Sequence, residues 1–193
     1  MDAPLRNTAG DAVWDQRSIA NAFLLEHFAL TGRYPTAPWL SRALFILETT
    51  SLMRTGSPAM YGWFEAWQRG PVQPVVAMEF REFGLSPIGR LGMVRVPFEA
   101  PRLAGRCDDE QILSTVHAVT SAHATSPQWL LDGICCAPKG AWSATVEEAK
   151  HRCVLGMRVT HALMRERAKS MMCHVQKPRG WRKVPDRQFG CSA

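Results

Sequence analysis

The stretch from Thr36 to Gly56, TAPWLSRALFILETTSLMRTG, carries the clearest structural pattern in this chain of 193 residues. Pro38 favours a helix start near Thr36, because the first turn of a helix has N–H groups that lack a partner in any case. Gly56 is placed to close the helix. The pattern therefore predicts an amphipathic helix, whose apolar stripe consists of Trp39, Leu40, Ala43, Leu44 and Leu47.

A second predicted helix lies just before this one. Asp15 can cap its free backbone N–H groups, and Thr31-Gly32 ends it, because glycine readily adopts the left-handed conformation at a helix stop. Its inner face is predicted to contain Ile19, Phe23, Leu24, His27 and Phe28. The short connection predicts that the two helices are antiparallel neighbours. Residues 1–14 are interpreted as a loose N-terminal lead-in.

Further helices are predicted after these two. We expect a third short helix over 75–83 and then, from 84 to 106, a loop with a short extended piece at 93–96. Asp108 is placed to cap a fourth helix with Gln111 as its capping-box partner, and Ser126-Pro127 begins a fifth. A long last helix is predicted from Ser143 to about Met172.

Strand patterns are almost absent, so the sequence predicts an all-α fold. We expect a compact single-domain array of about six helices with a basic C-terminal tail. The predicted domain boundaries are 1–14 for the lead-in, 15–154 for the helical domain, and 155–193 for a helix extension and tail.

The net charge of +6 is located at one end of the chain. From Arg165 onward there are eight basic and two acidic residues, which account for the whole excess. This asymmetry predicts a neutral domain with a basic tail. In the tail, basic residues surround one tryptophan, and such a segment can pair with phosphates and stack on bases. The candidate nucleic-acid-binding residues are Lys177, Arg179, Trp181, Arg182 and Lys183.

The sequence also predicts the cellular location of the protein. No apolar run approaches the ~20 residues that span a bilayer, and the first residues lack the basic and apolar regions of a signal peptide. We therefore expect a cytoplasmic protein without a membrane partner. The 6 cysteines include no C-x-x-C pair, so we expect neither a disulfide framework nor a metal site.

Motifs for catalysis and cofactor binding are missing from the sequence. There is no nucleophile elbow, phosphate loop or H-E-x-x-H metal motif. We therefore expect no enzymatic activity and no cofactor. One alternative stays open, in which Cys136 is a nucleophile activated by His117 or His123.

One segment contains a motif with particular residues at a set spacing. Residues 64–74, FEAWQRGPVQP, resemble the signature F-x-A-W-x-x-G-P-V-x-P of the Panacea-domain family, which includes SocA-like antitoxins and phage-associated proteins. Residues 19–24, IANAFL, are similar to the opening helix of that family. Leu40 begins a segment similar to the family's L-Q-K-L-L-Y, and Trp142 stands where the family ends a T-H-x-E-x-x-P-W segment. Cys136 replaces the histidine of that last segment.

The resemblance spans about 15–154 and implies a mostly helical protein that binds and neutralises a toxin, in some members as an adaptor that hands it to a protease. Phe64 and Trp67 are three residues apart, so in a helical turn they would share one face, and we expect them to form a buried corner closed by Gly70-Pro71. The candidate partner-binding residues are Trp67, Gln68, Arg69 and Gln73.

Three functional hypotheses follow. The first is an antitoxin-like module that binds a partner protein. The second is a nucleic-acid-binding regulator or phage-associated protein that uses the basic tail. The third is a hydrolase built on Cys136 and a histidine.

Overall fold

The computed structural model describes residues 5–6, 12–91, 94–95 and 107–175, and these residues are mostly helical. A single turn of 3-10 helix at Arg81–Phe83 follows the third α-helix. The described residues contain seven α-helices: α1 (Gln16–Thr31), α2 (Ala37–Arg54), α3 (Pro74–Glu79), α4 (Glu110–His123), α5 (Gln128–Cys135), α6 (Ala141–Arg152) and α7 (His161–Val175). Within them, no helix is both long and apolar enough to cross a membrane.

Short strands accompany the helices, so the prediction of an all-α fold is wrong in its strict form. Two pairs of very short strands are present, β1 (Leu5–Arg6) with β2 (Ala12–Val13) and β5 (Arg90–Leu91) with β6 (Val94–Arg95). The larger sheet is antiparallel, has the order β4-β3-β7, and consists of β3 (Phe64–Trp67), β4 (Gly70–Val72) and β7 (Met157–Val159). Pairing between distant segments stabilises these strands, and local periodicity does not reveal it.

Helix α2 is the centre of the fold. It packs against α1, α4, α5 and α7, and β4 also contacts it. Thr36 caps it as predicted, since its hydroxyl accepts the N–H of Trp39. The helix is buried on nearly all sides, including the charged residues Arg42 and Glu48.

Glu48 shows how a charge is accommodated in this central helix. Its carboxylate accepts the backbone N–H groups of Ala59 at 3.0 Å and Met60 at 3.3 Å. The other carboxylate oxygen lies 3.1 Å from Nε2 of His161, the first residue of α7. A buried charge is costly unless it is paired and hydrogen-bonded. Glu48 therefore connects α2, the 59–60 segment and the start of α7.

Helix ends follow the sequence closely. Asp15 caps α1 by accepting the N–H of Arg17, and Gly32 ends that helix with φ of +70°. The fourth helix is capped by Asp109, so the prediction of Asp108 was off by one residue. The Asp109 carboxylate accepts the N–H groups of two first-turn residues, Gln111 and Ile112.

The long last helix predicted over 143–172 is wrong. The chain instead forms α6, leaves the helix at Cys153 with φ of +53°, turns at Gly156 with φ of +63°, and enters β7 before α7 begins. Glycine adopts such a conformation without a steric penalty. Gly156 is therefore a turn residue that directs β7 toward β3.

The end of the predicted lead-in is part of the packed structure. Val13 and Trp14 are buried. The backbone N–H of Trp14 donates to the carbonyl of Ala59 at 3.2 Å, and the Trp14 carbonyl accepts the N–H of Tyr61 at 2.8 Å. These bonds position the segment that leads into β3.

Candidate functional site

The candidate site is the hairpin formed by β3 and β4. Trp67 pairs with Gly70 across a two-residue loop of Gln68 and Arg69. Side chains alternate between the two faces of a strand, and here Phe64 and Ala66 are buried. Trp67 lies on the opposite face and is 48% exposed. The predicted helical corner is therefore wrong, because the segment is a strand that separates Phe64 from Trp67.

Gly70 has a specific steric role in this hairpin. Its φ is +123°, and an added Cβ would lie only 2.5 Å from Nη2 of Arg42. A side chain at this position would therefore meet both an unfavourable backbone conformation and a buried guanidinium.

Arg42 of α2 stabilises the hairpin through hydrogen bonds. Its guanidinium donates to the carbonyl oxygens of Arg69 and of Pro71, the latter at 3.0 Å, and to the Asp132 carboxylate at 3.0 Å. The planar guanidinium can satisfy several acceptors at once. The thiol of Cys135 in turn donates to the Arg42 carbonyl at 3.7 Å. Helices α2 and α5 thus fix the conformation of the loop that carries Gln68 and Arg69.

The outer face of β3 carries a network centred on Glu65. Trp63 and Trp67 donate their indole N–H groups to the two oxygens of its carboxylate, at 3.2 and 2.8 Å. Arg158 of β7 stands opposite Glu65, and its guanidinium carbon lies 4.1 Å from the centre of the Trp63 ring. Such stacking is a favourable cation–π arrangement. The exposed Trp63 and Trp67 rings are therefore held in defined orientations.

The backbone of Trp67 is fixed as well. Its carbonyl accepts the indole N–H of Trp142, near the start of α6, at 3.0 Å. The position where a Cβ of Gly156 would stand is 3.1 Å from Oε2 of Glu65 and 3.8 Å from Nε1 of Trp67. Gly156 thus allows the turn before β7 to approach this network closely.

The predicted partner-binding residues divide into two groups. Gln68 and Arg69 are exposed at the tip of the hairpin, next to the exposed Trp67. Gln73 is buried, so its side chain is not available to a partner as the prediction of a binding residue requires. Its side-chain carbonyl accepts the N–H of Val76 at 2.8 Å and caps α3. Gln73 therefore has a structural role, because it satisfies a free N–H group at a helix start.

Sequence reasoning missed several residues of the site. An open groove beside Trp63 is lined by residues of α3, among them the exposed Met78. Trp63, Glu65 and Trp67 are two residues apart, so a strand places them on one face, but residues 63–67 lack the apolar–polar alternation that would have predicted the strand. Arg42 and Arg158 carried no local signal, because both reach the hairpin from distant parts of the chain.

The hypothesis of a Cys136 nucleophile gains no support from the electrostatics. Burial raises the pKa of Cys136 to about 12, whereas a nucleophilic thiol needs a lowered pKa. Nδ1 of His117 lies 2.7 Å from the Glu26 carboxylate. His123 is buried on α4, and burial lowers its pKa. The structure gives neither histidine a hydrogen bond to the Cys136 thiol.

Metal ligands do not converge in the described ranges, where no group of three or more histidine, cysteine, aspartate or glutamate side chains is placed to hold an ion. The candidate nucleic-acid-binding residues Lys177, Arg179, Trp181, Arg182 and Lys183 lie outside the described residues.

Comparison with known proteins identifies no relative. No family model, no curated protein and no solved structure matches the chain. The resemblance of residues 64–74 to the Panacea-domain signature therefore remains a prediction from the residue pattern. The hairpin geometry gives that pattern a structural explanation, in which Phe64, Gly70 and Gln73 build the hairpin and the exposed residues are left for other contacts.

Proposed function

We propose that this protein is an antitoxin-like module that neutralises a partner toxin by direct binding through the β3–β4 hairpin. The observation that supports the proposal is the exposure of Trp67, whose ring is nevertheless held by Glu65 and whose carbonyl is held by Trp142. An exposed tryptophan fixed in this way can bury a large area in an interface at little cost in conformational entropy.

The composition of the hairpin tip is also typical of binding surfaces. Tryptophan and arginine are enriched among the residues that dominate binding energy. Arg69 is exposed, and in the described part of the chain its guanidinium forms no ion pair. Gln68 adds an amide that can both donate and accept hydrogen bonds. The tip therefore offers apolar area, a positive charge and hydrogen-bonding groups at one place.

The direct test is co-expression with the product of the adjacent open reading frame, followed by affinity purification and growth measurement. We expect the two proteins to co-purify and growth to be rescued if the neighbour is toxic. If the protein acts as an adaptor, rescue will in addition require a protease of the host and be accompanied by faster loss of the neighbour. Absence of both co-purification and rescue would contradict the proposed function.

Trp67→Ala tests the site itself. We expect it to weaken binding by about tenfold or more, as for a residue that anchors an interface. Trp129→Ala is the matched control, because Trp129 on α5 is 54% exposed and lies outside the hairpin. Equal effects of the two substitutions on affinity would argue against the hairpin as the binding site. Circular dichroism should show that both variants stay folded.

A second candidate function rests on the charge asymmetry of the chain, whose net +6 comes from Arg165 onward. A nucleic-acid-binding tail predicts affinity that falls steeply with salt, because bound counterions are released from the phosphates. Replacing Lys177, Arg179, Arg182 and Lys183 by alanine should then abolish binding to DNA and RNA. Undetectable or salt-insensitive binding would remove this candidate.

A further inference from the structure

The turn between α6 and β7 exposes apolar side chains. Leu155 is 97% exposed, more than any other large apolar residue in the part of the chain that the structure describes. Val154, the residue before it, is also exposed. Contiguous exposed apolar area on a folded protein is a common mark of an interaction site. Core packing therefore does not explain why these two positions are apolar.

This turn lies against the hairpin. Gly156 follows Leu155 directly, and the position of an added Cβ on Gly156 is 3.8 Å from Nε1 of Trp67. In the antiparallel register Ala66 pairs with Met157, so Val154 and Leu155 belong to the turn that leads into β7 beside Trp67. We call the exposed residues Trp67, Val154 and Leu155 together the apolar patch.

The carboxylates of β3 and α6 already have partners. The carboxylate of Glu65 already accepts two indole N–H groups and faces Arg158 across the sheet. On α6, Glu147 and Glu148 are paired with cations of the same helix. Arg69 at the hairpin tip is left without a carboxylate partner among the described residues. A partner that approaches the patch can therefore neutralise Arg69.

We propose that the apolar patch and Arg69 together bind a partner segment that presents an apolar side chain next to a carboxylate. This inference rests on the proposed function and specifies the chemistry of the partner. A second copy of this chain fits less well. A twofold contact places the same patch opposite itself, so two Arg69 guanidinium groups would enter one interface.

The experiment measures the affinity of the full chain for the product of the adjacent open reading frame, by calorimetry, for the wild type and for matched variants. Leu155→Asp should weaken binding by about tenfold or more, because it places a charge in the buried centre of the interface. Leu85→Asp is the control, because Leu85 is 70% exposed and lies just after the 3-10 turn at Arg81–Phe83, outside the hairpin. We expect the control to change the affinity by less than about twofold.

Arg69→Glu tests the charge. It should weaken binding by about tenfold at low salt, with a smaller difference at high salt, since exposed charges are screened. Arg54→Glu, at the exposed end of α2, is its control. Binding that is unaffected by Leu155→Asp and Arg69→Glu would overturn this inference and leave the proposed function in place. Failure of the wild-type chain to bind would overturn both.

Discussion

Replacing Arg42 by methionine should destabilise the protein through the hairpin. Methionine keeps an unbranched apolar stem but removes the guanidinium that reaches the carbonyls of Arg69 and Pro71 and the Asp132 carboxylate. The two carbonyls lose a donor, and Asp132 loses its cation. The variant therefore tests whether one buried side chain organises the loop that carries the candidate site.

The expected magnitude follows from the burial of the groups left behind. Removing one partner of a buried ion pair costs about 3–5 kcal/mol. The Asp132 side chain is 38% exposed, so water can solvate its carboxylate and the loss falls at the lower end. We expect the free energy of unfolding to fall by about 3 kcal/mol, and Tm by about 6–12 °C for a chain of this size.

Urea denaturation followed by tryptophan fluorescence measures this loss. Arg54→Met is the control, because Arg54 is exposed at the end of the same helix. A double-mutant cycle with Asp132→Asn should give a coupling free energy of about 1 kcal/mol or more between the two residues. A loss below about 1 kcal/mol, within the range of ordinary substitutions, together with no coupling, would refute this account of Arg42.

Two further predictions concern the turn before β7 and the contact between α1 and α4. Gly156→Ala should lower the free energy of unfolding by about 1–2 kcal/mol, because φ is +63° and the new Cβ would approach Glu65. Gly32→Ala, at a left-handed glycine with φ of +70° and nothing within 4 Å of its added Cβ, is the control for the backbone term. If chemical denaturation shows that the two substitutions lower the free energy of unfolding by the same amount, the contact with Glu65 does not contribute to stability. Burial lowers the pKa of His27 and of His123, so the unfolded state binds protons more readily and stability should decline as pH falls below about 6.5. His123→Gln should flatten the curve of unfolding free energy between pH 8 and pH 5, and an unchanged curve would contradict the assignment.

The sequence was informative where local chemistry decides the structure. Asp15, Gly32 and Thr36 mark helix ends as predicted, because capping depends on a few neighbouring residues. The predicted stripe of α2 underestimated its burial, since neighbours cover nearly all of its sides. A one-dimensional pattern shows which residues are apolar but does not show how many neighbours surround a helix.

In the β3–β4 hairpin, local chemistry does not decide the structure. FEAWQRGPVQP was recognised as a distinctive segment, yet its secondary structure was predicted incorrectly. A spacing of three between Phe64 and Trp67 suits one face of a helix, whereas the spacing of two between Trp63, Glu65 and Trp67 suits one face of a strand. The choice between them depends on pairing with β7, which lies about 90 residues further along the chain.

By itself, the sequence determined the mostly helical character, several helix ends and the concentration of positive charge from Arg165 onward, because these depend on local residues or on composition. Only the tertiary structure decided that Trp67 is exposed, that Gln73 is buried, and that the turn containing Leu155 and Gly156 comes close to Trp67. These properties arise where β3, β7 and α2 meet. Exposure and proximity belong to the packed arrangement of distant segments, and no local pattern encodes them.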